Sequence, residues 1–394
     1  MQDGIAGDVS VPYELGQPQP VPMSDGLSAP APNPSLSMDS VATSPSDIVG
    51  DFSNDFNLSS SLAAGSGATL ASNGVPSMIG DFFGGGYNYT VDGPFNGGTV
   101  TLAGGDRRMK FSENNSPFPR DRIFVNYNHF HNALTDPNGN SRDLNRYTFG
   151  VESTIFNDFN SVELRVPFAG TLAAREVVGR DLDSTEFGNI ALAFKHMLYH
   201  NECTALAAGM AVVLPTGKDS SVIRDGQTHI VYNNDAVHIQ PFIGLYRKHN
   251  QRVFWQLFSQ LDFDANGNRV VIPSGSIFQT VGTNFNRAET LQDQTLLMLD
   301  FSLGYWLHQD RCARVVTGVA PMIELHYTTT LDDQETIPGV FESINRRDIL
   351  NLTGGLFFQL GNRSSIKIGA VSPLRTGFDK VFDTELGVQF VRGF

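Results

Sequence analysis

The chain has 394 residues, a formal net charge of −14 and a mean hydropathy of −0.15. It contains no apolar run of the roughly 18 residues a membrane-crossing helix needs, which excludes a helical span but not a β-barrel, where only every second side chain faces lipid. The acidic balance excludes nucleic acid as a partner, and two cysteines, Cys203 and Cys312, are too few for a disulfide framework and lack metal-ligand spacing, so both read as free thiols.

The opening MQDGIAGDVS has neither the basic start nor the apolar core of a signal peptide. An exported protein requires one, so the signal is expected either to have been removed or to lie upstream of this start. Residues 1–75 are rich in Pro, Ser, Gly, Ala and Asp, without a sustained period. Such a segment buries too little apolar surface to offset its ordering entropy and is expected to be a disordered periplasmic tail. Residues 76–120 differ: SMIGDFFGGGYNYTV carries aromatics and a glycine cluster, and RRMKFSENNSPFPRDR is polar. Two readings stand for this stretch. It is either a luminal plug whose Arg107, Arg108 and Lys110 meet acidic wall residues, or a periplasmic approach segment.

From Asp121 to Phe394 an all-β pattern takes over. Strands are expected over about 121–131, 144–156, 159–168, 186–199, 203–215, 235–247, 251–263, 294–308, 312–328, 347–361, 364–373 and 381–394. Side chains alternate with period two. In 251–263, Val253, Trp255, Leu257, Leu261 and Phe263 oppose Arg252, Gln256, Gln260 and Asp262; in 312–328, Ala313, Val315, Val319, Ile323, Leu325 and Tyr327 oppose Arg314, Gly318, Glu324 and His326. Short connections (FNDFN, HNE, KHNQ, HQDR, GNR) follow even strands, and long ones, up to nearly thirty residues, follow odd strands. A Greek-key sandwich has no reason to sort loop lengths so. A transmembrane antiparallel up-and-down β-barrel of about 12 strands does, with short turns periplasmic and long loops outside.

The expected inward face carries Glu152, Glu163, Arg165, Lys195, Arg252, Asp262, Asp300, Arg314, Glu324, Arg347, Lys367 and Glu385. Ionisable groups of both signs are costly against hydrocarbon and belong in a wet lumen. Phe254, Phe258, Met298, Trp306 and Phe357 are expected to narrow it. Connection 7→8, about 265–293, contains VVIPSGSIFQTVG and is expected to act as a gate, folding inward as a constriction or pairing as an external hairpin.

Glu186 to Phe263 contains FGNIALAFKHMLY, LAAGMAVVLPTG, HIQPFIGLYRK and VFWQLFSQLDF. This order resembles the bacterial outer-membrane transporter family annotated from the meta-pathway of phenol degradation. Gly188 and Lys195 match its first element; Leu214, Pro215, Thr216 and Gly217 its LPTG; Gln240, Pro241 and Gly244 its QPxxG. The resemblance implies an envelope channel, with small hydrophobic or aromatic compounds as cargo. FadL-type fatty-acid transporters are a more distant comparison, and their Asn-Pro-Ala plug motif is missing. The terminal Phe394, with Phe390 before it, resembles the signal read by the β-barrel assembly machinery; Arg392 departs from that pattern and is placed to snorkel toward headgroups.

Other chemistry is weakly signalled. Pro215-Thr216-Gly217 reads first as a strand terminator. His129 and His131 share a strand face, as interfacial residues beside Tyr127 or as metal ligands. A lipase needs a Ser–His pair beside Ser153 or Ser259, and a protease needs Asp262 and Asp264 clustered with His229 or His238; neither pairing can be placed. No cofactor motif occurs. The expected function is passive passage of small solutes through an outer-membrane channel of a Gram-negative-type bacterium, with membrane lipid as surroundings. The alternatives are a structural or surface-interaction barrel and, behind it, a barrel hydrolase.

Overall fold

The computed structural model describes residues 75–81, 86–89, 98–101, 108–135, 140–170, 175–177, 186–224, 226–276, 286–310, 312–333, 335, 337, 340 and 346–394. The tail expected over 1–75 lies outside these apart from Val75, as do Arg107 and 277–285 of the 7→8 connection. No helix among the described residues is long and apolar enough to cross a membrane.

Twelve long strands make the wall: β1 (Arg122–Thr135), β2 (Ser141–Ile155), β3 (Asn157–Gly170), β4 (Ile190–His200), β5 (Thr204–Leu214), β6 (His238–Lys248), β7 (Val253–Asp264), β8 (Leu296–Tyr305), β9 (Val316–Thr330), β10 (Asp348–Leu360), β11 (Ser364–Pro373) and β12 (Thr384–Gly393). Each pairs antiparallel with its chain neighbours, and β12 pairs with β1, Val388 opposite Tyr127. The sheet is therefore a closed up-and-down barrel. Closure satisfies the backbone N–H and C=O groups that an open edge would leave unpaired, a condition hydrocarbon imposes on any spanning sheet.

The two-residue period sorts the faces. On β12, Leu386, Val388 and Phe390 are exposed while Glu385, Gln389 and Val391 are buried. Around the wall, Phe149, Val162, Phe194, Met210, Ile243, Leu257, Phe301, Ile323, Leu356 and Ile368 continue the exposed apolar belt.

Two prolines mark where the ladder yields. Pro241 of β6 pairs with Met210 of β5, yet no β6–β7 register pair forms at Gln240 or Pro241. Pro321 of β9 pairs with Leu356 of β10, and pairing toward β8 stops at Met322. Proline has no N–H to give to a second neighbour.

The expected strands match to within a few residues, with three differences. The 1→2 connection shortens to 136–140, because β1 continues through a register shift between Phe130 and Leu134. The 8→9 connection is 306–315 rather than HQDR alone, and within it His308–Gln309 folds back to pair with Val319 and Gly318. β9 consequently starts at Val316, so Ala313, Arg314 and Val315 belong to the turn. A second sheet grows from the long connections, in the order Arg287–Leu291, Asn268–Ile272, Gln227–Tyr232, Ser220–Arg224, Arg175–Val177. It contains the described arms of the 7→8 connection, Asn268–Ile272 paired antiparallel with Arg287–Leu291, with Val270, Ile272 and Leu291 buried against Val222, Ile230, Tyr232, Ile337 and Val340.

Candidate functional site

The barrel interior is occupied by two passes of the chain that precede β1, residues 75–81 and 108–121, joined where the Met78 N–H donates to the Asn115 carbonyl (2.9 Å). Side chains of β1–β4 and β7–β12 hold them. On the first pass, Gln256 donates to the Pro76 carbonyl (2.8 Å), Gln389 to that of Ile79 (2.6 Å), and Asn351 to the Asp81 carboxylate (2.6 Å). The Glu324 carboxylate accepts the Ile79 and Gly80 N–H groups at 2.9 and 2.7 Å. Lys367 donates to Ser77 Oγ (2.7 Å), the Met78 carbonyl (2.9 Å) and Asn114 Oδ1 (2.7 Å), pinning both passes at once.

On the second pass, Gln260 accepts the Phe111 N–H (2.8 Å) and donates to the Met109 carbonyl (2.9 Å). Ser112 donates to Asp300 (2.7 Å), Arg146 pairs with Glu113 (2.8 Å), and Lys195 reaches Asn115 and the Ser116 carbonyl (2.7 and 3.0 Å). The Phe111 ring stacks on Phe242 at 5.6 Å and lies under the Arg165 guanidinium at 4.6 Å.

Strand register assembles the charges. Arg122, Glu152 and Glu163 are direct cross-strand partners on β1, β2 and β3. Two carboxylates in such a position repel; here cations separate them. Arg122 bridges Glu152 (2.7 Å) and Glu163 (2.9 Å), Lys195 pairs with Glu152 (2.9 Å), and Arg165 pairs with Glu163. Across the lumen Asp300, His326 and Asn351 stand in register on β8, β9 and β10. His326 contacts Asp300 (2.8 Å) and Asp81 (3.3 Å), and Lys110 contacts Asp81 (2.6 Å) and Asp300 (3.5 Å). Asp81, Asp300 and His326 could by spacing surround a cation, but the Lys110 ammonium already supplies positive charge there. Glu385 accepts from Asn128 (2.6 Å).

Apolar clusters flank this ionic layer. Toward the long connections lie Met109, Phe111, Phe130, Leu144, Phe242, Phe258, Leu296, Met298 and Phe382, with the small side chains of Ala169, Ala191, Ala193 and Ala211 between them. Toward the short turns lie Ile79, Tyr246, Phe254, Trp306, Met322 and Phe357.

Of the inward residues expected from sequence, Glu152, Glu163, Arg165, Lys195, Asp262, Asp300, Glu324, Lys367 and Glu385 are buried on the inner face. Arg347 stands half-buried at the long-connection end, just before β10. Arg252 and Arg314 are corrected: both are exposed in short connections, and Arg252 donates to the outward Tyr305 hydroxyl (3.1 Å). Each sits beyond the end of its strand, where alternation no longer assigns a face. Arg146 and Asn351 were missed, though they share the strand parity of Glu152 and Arg347; Arg122 and Asn126 lie on β1, for which no inward residue was expected.

The remaining motifs have local duties. Thr216 accepts the Ile190 N–H (2.9 Å) and donates to the Gly188 carbonyl (3.0 Å), clasping the end of β5 to the start of β4. Gln240 donates to Asp262 (2.9 Å), which also meets His238 (3.0 Å) and Arg108 (2.9 Å). Ser153 donates to Asp121 (3.2 Å), and Ser259 lies between Ile243 and Leu299. Phe390 and Phe394 are exposed on the outward side, and Cys203 and Cys312 are free and exposed at the short turns.

No family model matches the chain, and no curated protein matches it. Among solved structures it is similar to the COG4313 outer membrane channel from Pseudomonas putida F1, at 13% identity over 70% of this chain and 96% of that one, with a TM-score of 0.49. It is also similar to the toluene transporter TbuX of Ralstonia pickettii (12% identity, 70% and 90% covered, TM-score 0.38). A third is the toluene transporter TodX of P. putida (10% identity, 80% and 99% covered, TM-score 0.38).

Proposed function

We propose that this protein is an outer-membrane channel for small solutes whose lumen is regulated by the segment preceding β1, its described parts 75–81 and 108–121 acting as a luminal plug. The observation that carries this reading is the closed wall, apolar outside and polar inside, with a polar segment bonded to side chains from most of its strands. An exposed apolar belt on a closed barrel fits hydrocarbon, and a hydrogen-bonding inner face fits water and polar contents.

Small hydrophobic or aromatic compounds are the cargo class. Two things support this: the LPTG and QPxxG resemblance, and the apolar cluster around Phe242, Phe258 and Phe130 that a solute meets on the long-connection side of the plug. Outer-membrane assembly through the terminal aromatics Phe390 and Phe394 belongs to the same proposal.

The filled lumen favours a second reading, a sealed structural or surface-interaction barrel. Reconstitution into planar bilayers separates the two. The channel reading expects discrete conductance steps and uptake of small aromatic solutes into liposomes. Absence of both, in wild type and in variants with a weakened plug contact, would leave the structural barrel.

A further inference from the structure

Outside the lumen, the described residues place two imidazoles and a carboxylate together on the outer face of the wall, at its long-connection end. His129 and His131 are two apart on β1 and face outward with Tyr127; Asp143 projects from the adjacent β2. His131 Nδ1 lies 2.8 Å from one Asp143 oxygen, and His129 Nε2 lies 3.8 Å from the other. One donor atom from each residue falls within 4.8 Å of the others.

Zinc bonds of about 2.0–2.2 Å to His nitrogen and carboxylate oxygen, arranged tetrahedrally, separate donor atoms by roughly 3.2–3.6 Å. The two observed separations bracket that range. Only a small side-chain adjustment would be needed to seat an ion between the three groups.

The surroundings favour ligation at His129. Its Nδ1 lies 2.9 Å from Asn145 Oδ1, an atom that can only accept. Nδ1 is thus placed to donate to Asn145, and Nε2 is the ring nitrogen that faces Asp143. A ligating histidine is commonly held in this way by its second nitrogen. Asn145 Oδ1 is itself fixed by the Tyr127 hydroxyl at 2.9 Å. On the other side, Asn132 adopts a left-handed backbone (φ 55°) at the β1 register shift, and its N–H donates to Asp143 at 2.9 Å, fixing that carboxylate between the two rings. Asp383 lies next to the group, accepting from Asn132 on one oxygen and paired with the Lys380 ammonium on the other.

We propose that His129, His131 and Asp143 form a binding site for a late first-row divalent metal ion of the Zn2+ class, with a coordination position left open to solvent. Two imidazoles and one carboxylate suit Zn2+ over the hard cations Mg2+ and Ca2+, which prefer all-oxygen sites. The side chains are half-exposed to exposed, so an ion reaches them without passage through the barrel.

The test is Zn2+ titration by calorimetry of the full-length protein in detergent, paired with the visible spectrum of its Co2+ adduct. One Zn2+ per chain is expected, with an intense four-coordinate Co2+ band. His129→Ala, His131→Ala and Asp143→Asn should each weaken binding at least about tenfold and abolish the band. His196→Ala, which alters another exposed histidine, should change neither. Circular dichroism and the heat-dependent gel shift of folded barrels establish that each variant is folded. Equal Zn2+ affinity in wild type and in the His129→Ala/His131→Ala double variant, or no Zn2+ uptake by folded wild type, overturns the site. Because the readout is metal binding, the result is independent of whether the barrel conducts.

Discussion

Lys367 is the residue on which the luminal segment most depends. Its ammonium is wholly buried and its three short contacts fall on Ser77, Met78 and Asn114, which belong to both passes. Burying such a charge is favourable only while every donor finds an acceptor. Lys367→Met keeps the length of the side chain and removes the donors, leaving buried acceptors unsatisfied at about 1–3 kcal/mol each. A change of about 1–2 kcal/mol raises the released population by roughly 5–30-fold. Conductance of the variant in planar bilayers should therefore rise well above wild type, with the segment's backbone amides exchanging faster. An unchanged conductance alongside unchanged exchange would show that Lys367 is not the latch.

At the scale of the element, the seat for the first pass is built from absent side chains. Gly355 on β10 and Gly369 on β11 are register partners on the inner face, and Ile79 fills the space over both. A Cβ on Gly355 would meet the Ile368 carbonyl at 2.5 Å, so substitution there strains the wall itself. At Gly369 a Cβ would meet Ile79 at 2.9 Å and no backbone atom closer than 3.5 Å, so the pressure falls on the segment. Gly369→Val should displace Ile79, at about 1–3 kcal/mol for overpacking, and raise conductance. Ile79→Ala in the same chain should reverse most of that rise, because the added methyl groups fill the volume the isoleucine vacates. The double-variant cycle measures this coupling; additive effects would mean that Ile79 and Gly369 do not share the space.

On the scale of the whole molecule, the two ends of the barrel differ in what their connections carry. Long ones carry the five-stranded outer sheet, and short ones carry Cys203 and Cys312, both exposed. If the short turns face the periplasm, a membrane-impermeant maleimide should leave both thiols unmodified in intact cells and modify both once the outer membrane is permeabilised. Labelling of either in intact cells would reverse the barrel or remove it from that membrane. Mass spectrometry of the purified chain reads the outcome directly.

Strands and their two faces are legible in the residues alone, because alternation is a local property. A period of two reads out which residues share a side without knowledge of any partner, and loop lengths reveal which ends of the strands lie together. Of the residues expected inward, those within the strands, such as Glu152, Asp300 and Lys367, are buried, whereas Arg252 and Arg314 are exposed where the period stops at a strand end. Which charges meet is set by the folded wall. Glu152 meets Arg122 and Lys195 because antiparallel stagger sets residues 30 and 43 positions apart at one level. For residues 76–120 the sequence left a luminal plug beside a periplasmic segment, and the contacts that seat the described parts are long-range: Gln389 meets the Ile79 carbonyl across 310 positions of chain, and Lys367 meets Met78 across 289. A polar, glycine-rich stretch with basic residues is compatible with either place. That choice depends on a ring of donors and acceptors which exists only after the barrel has closed.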